Sequence, residues 1–514
     1  MSVTSSTPPT ATDWKPNDRW LTGVVLAVVT FWLFAQTLLN VIPGIRDALG
    51  IEATIANLAV SITSLFSGIF IVVAGSLADR IGRTRILNVG IWLGIIGSLL
   101  IVITPEDAGG LTSTLLLGGR VVQGLSAACI MPSSMALIKQ FYDGKDRQRA
   151  LSFWSIGSWG GSGLCSLFGG FMATTALGWR SIFVLSIIVS FVSLLLLRGT
   201  PESKAQAPEG GYRRFDWGGL IAFIIMLVAI NVYISQGPNI GWLSITGVAL
   251  VVVTVVSGLV FLQIEVHQGA PFIDLNLFRN GTFTGATLSN FLLNGAAGTL
   301  IVALGLVQIA AGMSALESGL LTIGYLVAIL ATIRVGEKLL QRFGPRKPML
   351  WGSMITGVGI LMCSMTFLLI EQYIVLTVIG FTLFGIGLGF YATPSTDAAL
   401  SNVPDNQVGA ASGIYKMASS LGNAIGVAIS AALYVAGQAV DPAMIQSWGF
   451  FIGNQDNVAL RFGGAIGLLF NVFMVVVAIA SIILTVPTEE QREAEARAAE
   501  RRERKDVPPA PIGN

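Results

Sequence analysis

The chain has 514 residues, 53% of them hydrophobic and 11% charged, with a formal net charge of +2 and a mean hydropathy of +0.74. Soluble proteins carry about 25% charged residues, so this chain lacks the polar surface of a water-exposed globule. Its near-neutral balance argues against nucleic acid or acidic partners, and Cys129, Cys165 and Cys363 fall inside apolar runs, which suggests neither a disulfide framework nor a metal cluster.

Residues 1–19 are rich in Ser, Thr and Pro and show no small-residue cleavage site, so the first apolar run reads as a retained helix behind a cytoplasmic tail, 1–20. Apolar runs long enough to cross a hydrocarbon core of about 30 Å then recur to the end. They predict an all-α membrane protein with fourteen transmembrane helices. The first six, at 21–43, 55–77, 86–104, 112–138, 148–173 and 181–198, make an N-terminal half, 21–198. Residues 199–283 hold cytoplasmic linkers and two further helices, 216–236 and 243–264. A C-terminal half, 284–486, has helices at 284–310, 316–338, 348–370, 374–398, 408–436 and 462–486. The tail 487–514 is Glu/Arg-rich, with Glu493–Arg497 and Glu500–Arg504 at helix-stabilising spacing.

Lys and Arg orient the bundle. With both termini in the cytoplasm, 24 of the 30 basic residues lie on the cytoplasmic side. Arg46, Arg180 and Arg461 lie outside, and Arg120, Arg334 and Lys416 lie within helices. The reverse orientation violates the positive-inside rule. His267, the only histidine, sits in a predicted cytoplasmic loop without a role.

The sequence repeats at an offset of 262 residues. Leu77, Arg80 and Gly82 map onto Leu339, Arg342 and Gly344; Pro132, Ser133 and Ala136 map onto Pro394, Ser395 and Ala398; Asp143 maps onto Asp405. A parallel repeat implies two halves related by an axis along the membrane normal, with substrate bound between them near the midplane. The pair 216–236 and 243–264 has no counterpart and reads as an insertion.

Residues 75–85, GSLADRIGRTR, match the signature that major facilitator transporters carry between their second and third helices. Gly75 allows close packing, Asp79 caps or pairs at a helix end, and Arg80, Arg83 and Arg85 anchor the loop, with Leu77 and Gly82 in the same motif. The run LLLGGRVVQGLSAA, with Arg120, Gln123 and Gly124, looks like the family's fourth-helix motif. Six plus two plus six helices resembles the fourteen-helix branch of drug:proton antiporters. Within it the chain is similar to the NorB-type multidrug exporters, through TFWLFAQTLLNVIP, GKDRQRALSFWSIGSWGGSGLCSLFGG, IRVGEKLLQ, YATPSTDAAL and GIYKMASSLG.

The resemblance implies proton-coupled efflux of amphiphilic drug-like molecules such as fluoroquinolones, from a monomer in the cytoplasmic (inner) membrane. It implies no cofactor, only a proton gradient, with small molecules, protons and lipid as partners. It also implies that 75–85 is a gating latch and that Arg120 takes part in proton coupling. The chain departs from the branch in three places: Cys165-Ser166 stands for a usual Gly-Pro, Ala35 for an acid in the first helix, and Lys416 for an acid in the thirteenth. The last two remove negative charge from the cavity, which favours zwitterionic or anionic ligands over quaternary ammonium compounds.

A charge at the bilayer centre costs about 2.5–3.5 kcal/mol on insertion scales and marks function by default. The clear cases are Arg120, Arg334, Asp397 and Lys416, all on helices that line the cavity in the family. Asp397 maps onto Met135 and Lys416 onto Trp154 in the repeat, so the fold itself does not require these charges. Asp397 and Lys416 are expected to pair and to form the centre of coupling, with Glu337 the next acid and a possible partner of Arg334. Gln36 and Asn40, Asn290 and Asn294, and Lys416 with Ser420 and Asn423 lie at helical spacing along the expected cavity. Trp32, Tyr325, Tyr391 and Tyr415 offer aromatic faces. A transporter of a physiological solute such as a lipid, siderophore or metabolite stays open as an alternative. A membrane receptor or enzyme is weaker, because the sequence shows no acid pair within a helix, no large loop and no phosphate-binding Gly-rich loop.

Overall fold

The computed structural model describes residues 14–491 apart from 176–177, 205–215, 268–274, 314, 402, 450, 452–456 and 489, and apart from some side chains inside helices. The charged pairs of the C-terminal tail lie outside the described residues. Helical columns are numbered here in chain order. In the first half, α1 comprises Asp18–Val29, Thr30–Ala35 and Leu38–Leu49. α2 is Ala53–Ile81, α3 Arg83–Val102 and α4 Gly110–Phe141, and α5 comprises Gly144–Ser155, Ile156–Gly160 and Gly161–Thr174. α6 is Arg180–Leu197, α7 Trp217–Ile240 and α8 Ile245–His267. In the second half, α9 comprises Gly281–Gly295 and Gly298–Ala310, and α10 Ala315–Leu320 and Ile323–Phe343. α11 is Arg346–Cys363, α12 Ile370–Ser401, α13 Val408–Gln438 and α14 Val458–Thr485.

Eleven helices among the described residues are long and apolar enough to cross a membrane. α5, α7 and α11 fall outside that group. The charged run Lys145–Arg149 dilutes the start of α5, and Arg346 and Lys347 do the same for α11. Side-chain caps fix several starts: Asn17 Oδ1 accepts from Trp20 N (2.9 Å), and Asn280 Oδ1 from Phe283 N (3.1 Å).

The repeat is visible in the geometry. α2 shifted by 262 residues spans 315–343, the extent of α10, and Gly82 and Gly344 after these helices both have positive φ, +139° and +68°. Only glycine holds such backbone without strain, so each half turns sharply at the same place. Pro132 and Pro394 sit inside α4 and α12 at equivalent positions. A Cβ on Gly97 of α3 would meet Gly119 O at 2.8 Å, and one on its repeat mate Gly359 of α11 would meet Gly380 O at 2.5 Å. Small residues thus set the same close crossing in both halves.

α1 and α5 each contain a wider π-helical turn, Thr30–Ala35 and Ile156–Gly160. The two turns lie side by side, with Trp32 Cβ 3.1 Å from where Gly161 would carry its own Cβ. Such turns expose backbone groups and recur at functional sites. The inserted α7 and α8 pack on one another, with Phe223 and Phe261 ring centroids 5.2 Å apart. α7 also touches α2 and α13, so it lies along the seam between the halves. Arg461, expected in an outer loop, instead occupies the first turn of α14, buried, with Nε donating to Thr366 O (2.7 Å). Its side chain closes the end of α11, which keeps its charge from bare exposure to lipid.

Candidate functional site

The cross-half hydrogen bonds among the described residues lie at one end of the bundle, the basic end that the charge rule assigns to the cytoplasm. Asp79, near the end of α2, is buried and accepts Arg83 Nε (2.9 Å) and Nη2 (2.8 Å). Its other oxygen crosses to the second half and accepts the backbone N–H of Gly409 (2.8 Å) and of Ala410 (3.2 Å). These are orphan donors of the first turn of α13, so Asp79 caps a helix of the opposite half and meets its positive end. The approach needs glycine: a Cβ on Gly75 would sit 2.2 Å from Gly409 O, and one on Gly409 2.3 Å from Gly75 O. Arg83, fully buried, also donates to Gln140 Oε1 (3.0 Å) on α4 and to Asp405 O (2.5 Å) across the seam.

The outer side of the signature loop is held by a segment the sequence reading did not single out. Glu202 Oε1 accepts Thr84 N (3.0 Å) at the start of α3, and Thr84 Oγ1 donates to Pro201 O (2.9 Å). Arg85 reaches the same carboxylate (3.5 Å). Glu202 also fills the space beside Gly82, where a Cβ would meet its carboxyl carbon at 2.4 Å. Leu77 and Arg80 are half-buried on the same turn.

The pair expected between Asp397 and Lys416 is not formed. Asp397, buried on α12, pairs across the seam with Arg147 of α5 (3.2 Å), which also donates to Ser401 Oγ (3.2 Å). Lys139 on α4 makes a parallel contact, with Asp405 at 3.5 Å and with the Val403 carbonyl. The reason is depth. At about 1.5 Å per residue, Asp397 lies about 6 Å from its helix end and Lys416 about 12 Å from the start of α13, so a basic residue near the start of α5 is the better match for the acid.

Lys416 meets aromatic rings instead. Its Nζ lies 4.3 Å from the Trp154 ring centroid, 5.9 Å from Trp32 and 6.0 Å from Tyr415. Trp154 is fully buried and is fixed by its indole N–H donating to Ser134 Oγ (2.9 Å). Arg334 pairs with Glu337 and lies over the Phe153 ring (4.7 Å), and Gln341 Nε2 also donates to Glu337 (3.2 Å). Both acids are buried, and among the described residues Asp397 is bound to the opposite half and Glu337 within its own.

Other expected cavity residues divide into two groups. Arg120 is buried and held by carbonyl oxygens, donating to Ala59 O (2.8 Å) on α2, Ala35 O (2.8 Å) at the π-turn of α1, and Gln123 Oε1 (2.7 Å). Gln123 passes the chain on to Ser98 Oγ (3.1 Å). Asn290 donates to Tyr415 O (2.9 Å) and Ser419 Oγ (2.6 Å). Tyr391 and Tyr415 share Ser395, at 2.8 Å and 3.0 Å. These residues join helices to one another and are not open to a ligand. Gln36, Asn294 and Ser420 are half-buried and Asn423 is exposed, so these side chains are not closed off by packing. The side chain of Asn40 lies outside the described residues.

The arrangement is a buried, hydrogen-bonded seam between the two halves at the basic end of the bundle, with Lys416 among aromatic rings beside it. Sequence reading singled out the signature loop, Asp397 and Lys416, and did not single out Arg147, Trp154 or Glu202 as site residues. The signal for Trp154 was present: it is the repeat mate of Lys416, and residues related by a two-fold axis that touch must lie close to that axis.

Comparison with known proteins agrees with this architecture. The sequence model of the Major Facilitator Superfamily matches residues 24–285 and 283–511. The chain is 48% identical over 485 residues to the Quinolone resistance protein NorB of Staphylococcus aureus strain MRSA252, covering 94% of this chain and 99% of that protein. NorB of strain MSSA476 matches to the same extent, at 48% identity over 94% of this chain and 99% of the relative. Among solved structures, the proton:xylose symporter XylE superposes with a TM-score of 0.61 at 17% identity, covering 92% of this chain and 96% of that one. The human organic anion transporter MFSD10 (TETRAN) does so with a TM-score of 0.58 at 14% identity, covering 91% and 100%.

Proposed function

The chain belongs to the major facilitator superfamily, and from that premise we propose that it exports amphiphilic, fluoroquinolone-like molecules against protons, with Asp397 as the coupling acid. It is a secondary active transporter of the cytoplasmic membrane, not an enzyme. The observation that carries the proposal is the Arg147–Asp397 ion pair, a buried carboxylate that helps hold the inner ends of the two halves together.

The sign of coupling follows from that position. With Asp397 ionised, Arg147 holds the inner gate shut, and the space between the halves faces outward. A proton entering from outside neutralises the carboxylate and weakens its bond to Arg147. The inner gate then opens, the proton leaves to the less acidic cytoplasm, and ligand binds in its place. Re-forming the ion pair closes the gate and carries ligand outward. Proton and ligand thus move in opposite directions. The residues 75–85 act as the mechanical latch of the same gate, and Gln36, Asn294, Ser420 and Asn423 contribute to the ligand wall.

The same reading takes α5, α7 and α11 as spans, giving fourteen in all: six, an inserted pair, and six, in one monomer with both termini in the cytoplasm. Charged first turns of α5 and α11 sit at the inner surface, where Lys and Arg are favoured. The test is transport by the purified full chain in proteoliposomes. An imposed pH gradient is expected to drive accumulation of a fluoroquinolone, abolished by a protonophore. Accumulation that persists without the gradient would overturn the proposal.

A further inference from the structure

Resting on the export reading above, we infer that Lys416 and the indole N–H of Trp32 form an anion anchor for aromatic carboxylates, and that Trp154 switches this anchor off when the inner gate closes. The first support is position. Trp154 and Lys416 are exact partners at the 262-residue offset, one in each half, and they touch at 4.3 Å. Two equivalent residues meet only close to the axis that relates them, so this contact lies where the halves converge on the translocation path.

The second is unmet hydrogen-bonding capacity. No ion pair or hydrogen bond holds Lys416 Nζ among the described residues; it has only ring faces around it. The buried Trp32 Nε1 likewise has no acceptor there. Two donors without acceptors, on α13 and α1, lie close together, the ammonium 5.9 Å from the centre of the Trp32 ring. A buried donor left unpaired is unfavourable, and one carboxylate would satisfy both. The flat faces of Trp32, Trp154 and Tyr415 suit an aromatic ring attached to that carboxylate.

The third is the competition built into closure. A desolvated ammonium over an indole is attracted strongly enough to compete with a ligand. In the closed inner gate Trp154 occupies the ammonium, and Ser134 holds the indole in place. Opening toward the cytoplasm separates the halves and frees Lys416 for a ligand anion. Closing brings Trp154 back and displaces it. High affinity inside and low affinity outside is what an exporter requires, and here one ring supplies the difference.

The test compares a fluoroquinolone with its methyl ester, which keeps the ring and loses the carboxylate. Binding to the purified full chain and proton-driven uptake into everted vesicles are both measured. Lys416→Gln is expected to weaken the acid by about 10- to 100-fold, the range for a lost hydrogen bond to a charged group, and the ester by less than about twofold. Lys416→Arg, which keeps the charge, should keep the preference. Trp32→Phe should weaken the acid alone, which tests the anchor without altering the lysine. Trp154→Leu should hold the acid about tenfold tighter and slow its release, an effect absent once Lys416 is also Gln. Equal losses for acid and ester in Lys416→Gln, or weaker binding of the acid in Trp154→Leu, would overturn the anchor. Failure of the parent to move either compound would instead overturn the export reading itself.

Discussion

A proton-coupled exporter needs one group whose protonation opposes ligand binding, and at the residue scale this separates Asp397 from Lys416. A lysine that holds a ligand anion binds it best when protonated, which would move proton and ligand the same way. Asp397 does not hold the ligand: its ionised form holds Arg147 and closes the gate, and it gives up its proton to the cytoplasm before ligand binds in the open gate. Asp397→Asn fixes the neutral state. Vesicles of this variant are expected to exchange ligand down its gradient while losing accumulation driven by a pH difference. Retained proton-driven accumulation would show that another acid couples, and Glu337, held within its own half by Arg334 and Gln341, is the next to test. Sequence alone placed Asp397 on α12, one of the helices expected to line the cavity. It could not choose between two cations, because a choice of partner depends on the relative depth of two helices from different halves, which no local pattern encodes.

At the scale of elements, the latch is a helix terminus of one half capped by a side chain of the other. The four free N–H groups at the start of α13 need acceptors whether the gate is open or closed, and in the closed gate Asp79 supplies two. Asn offers an oxygen acceptor but no charge, so Asp79→Asn retains geometry and loses the charge assistance and the attraction to the helix end, about 1 kcal/mol or more in a partly buried setting. Transport should slow several-fold with ligand binding largely intact, and turnover equal to the parent would count against the latch. Gly409→Val is the steric counterpart. A side chain there meets Gly75 O and Asp79, so α2 and α13 must separate at their inner ends. Its inner gate should stand open more of the time, seen as faster proteolysis or labelling at the α12–α13 loop. The motif and its glycines were legible from spacing. Glu202 was not, because one Glu after a helix carries no pattern until the fold brings it to Gly82.

At the scale of the molecule, the halves share lengths, turns and close crossings but differ in charge at the seam. Asp79 has Gln341 as its repeat mate, Arg147 has Gly409, and Lys416 has Trp154. A shared backbone with unlike seam residues lets each half present to the other the group it lacks: a carboxylate to a helix end, a cation to an acid, a ring to an ammonium. All three contacts lie toward the basic end of the bundle, so one rocking motion would break them together. Interfaces of this kind have discrete closed and open arrangements, since a packed seam does not deform gradually. The repeat was readable as an offset, and with it the two-fold bundle. Which side is closed was not, because both arrangements use the same helices. The expected outcome is therefore directional. In a background lacking the three native cysteines, Asn423→Cys should react with an impermeant maleimide added from outside, and Ser401→Cys, packed against Arg147, should resist reagent from the cytoplasmic side. Adding Asp397→Asn should reverse the order, protecting position 423 and exposing position 401. If both positions change in the same direction, the inner and outer openings are not linked by a single motion, and the seam contacts do not act as one gate.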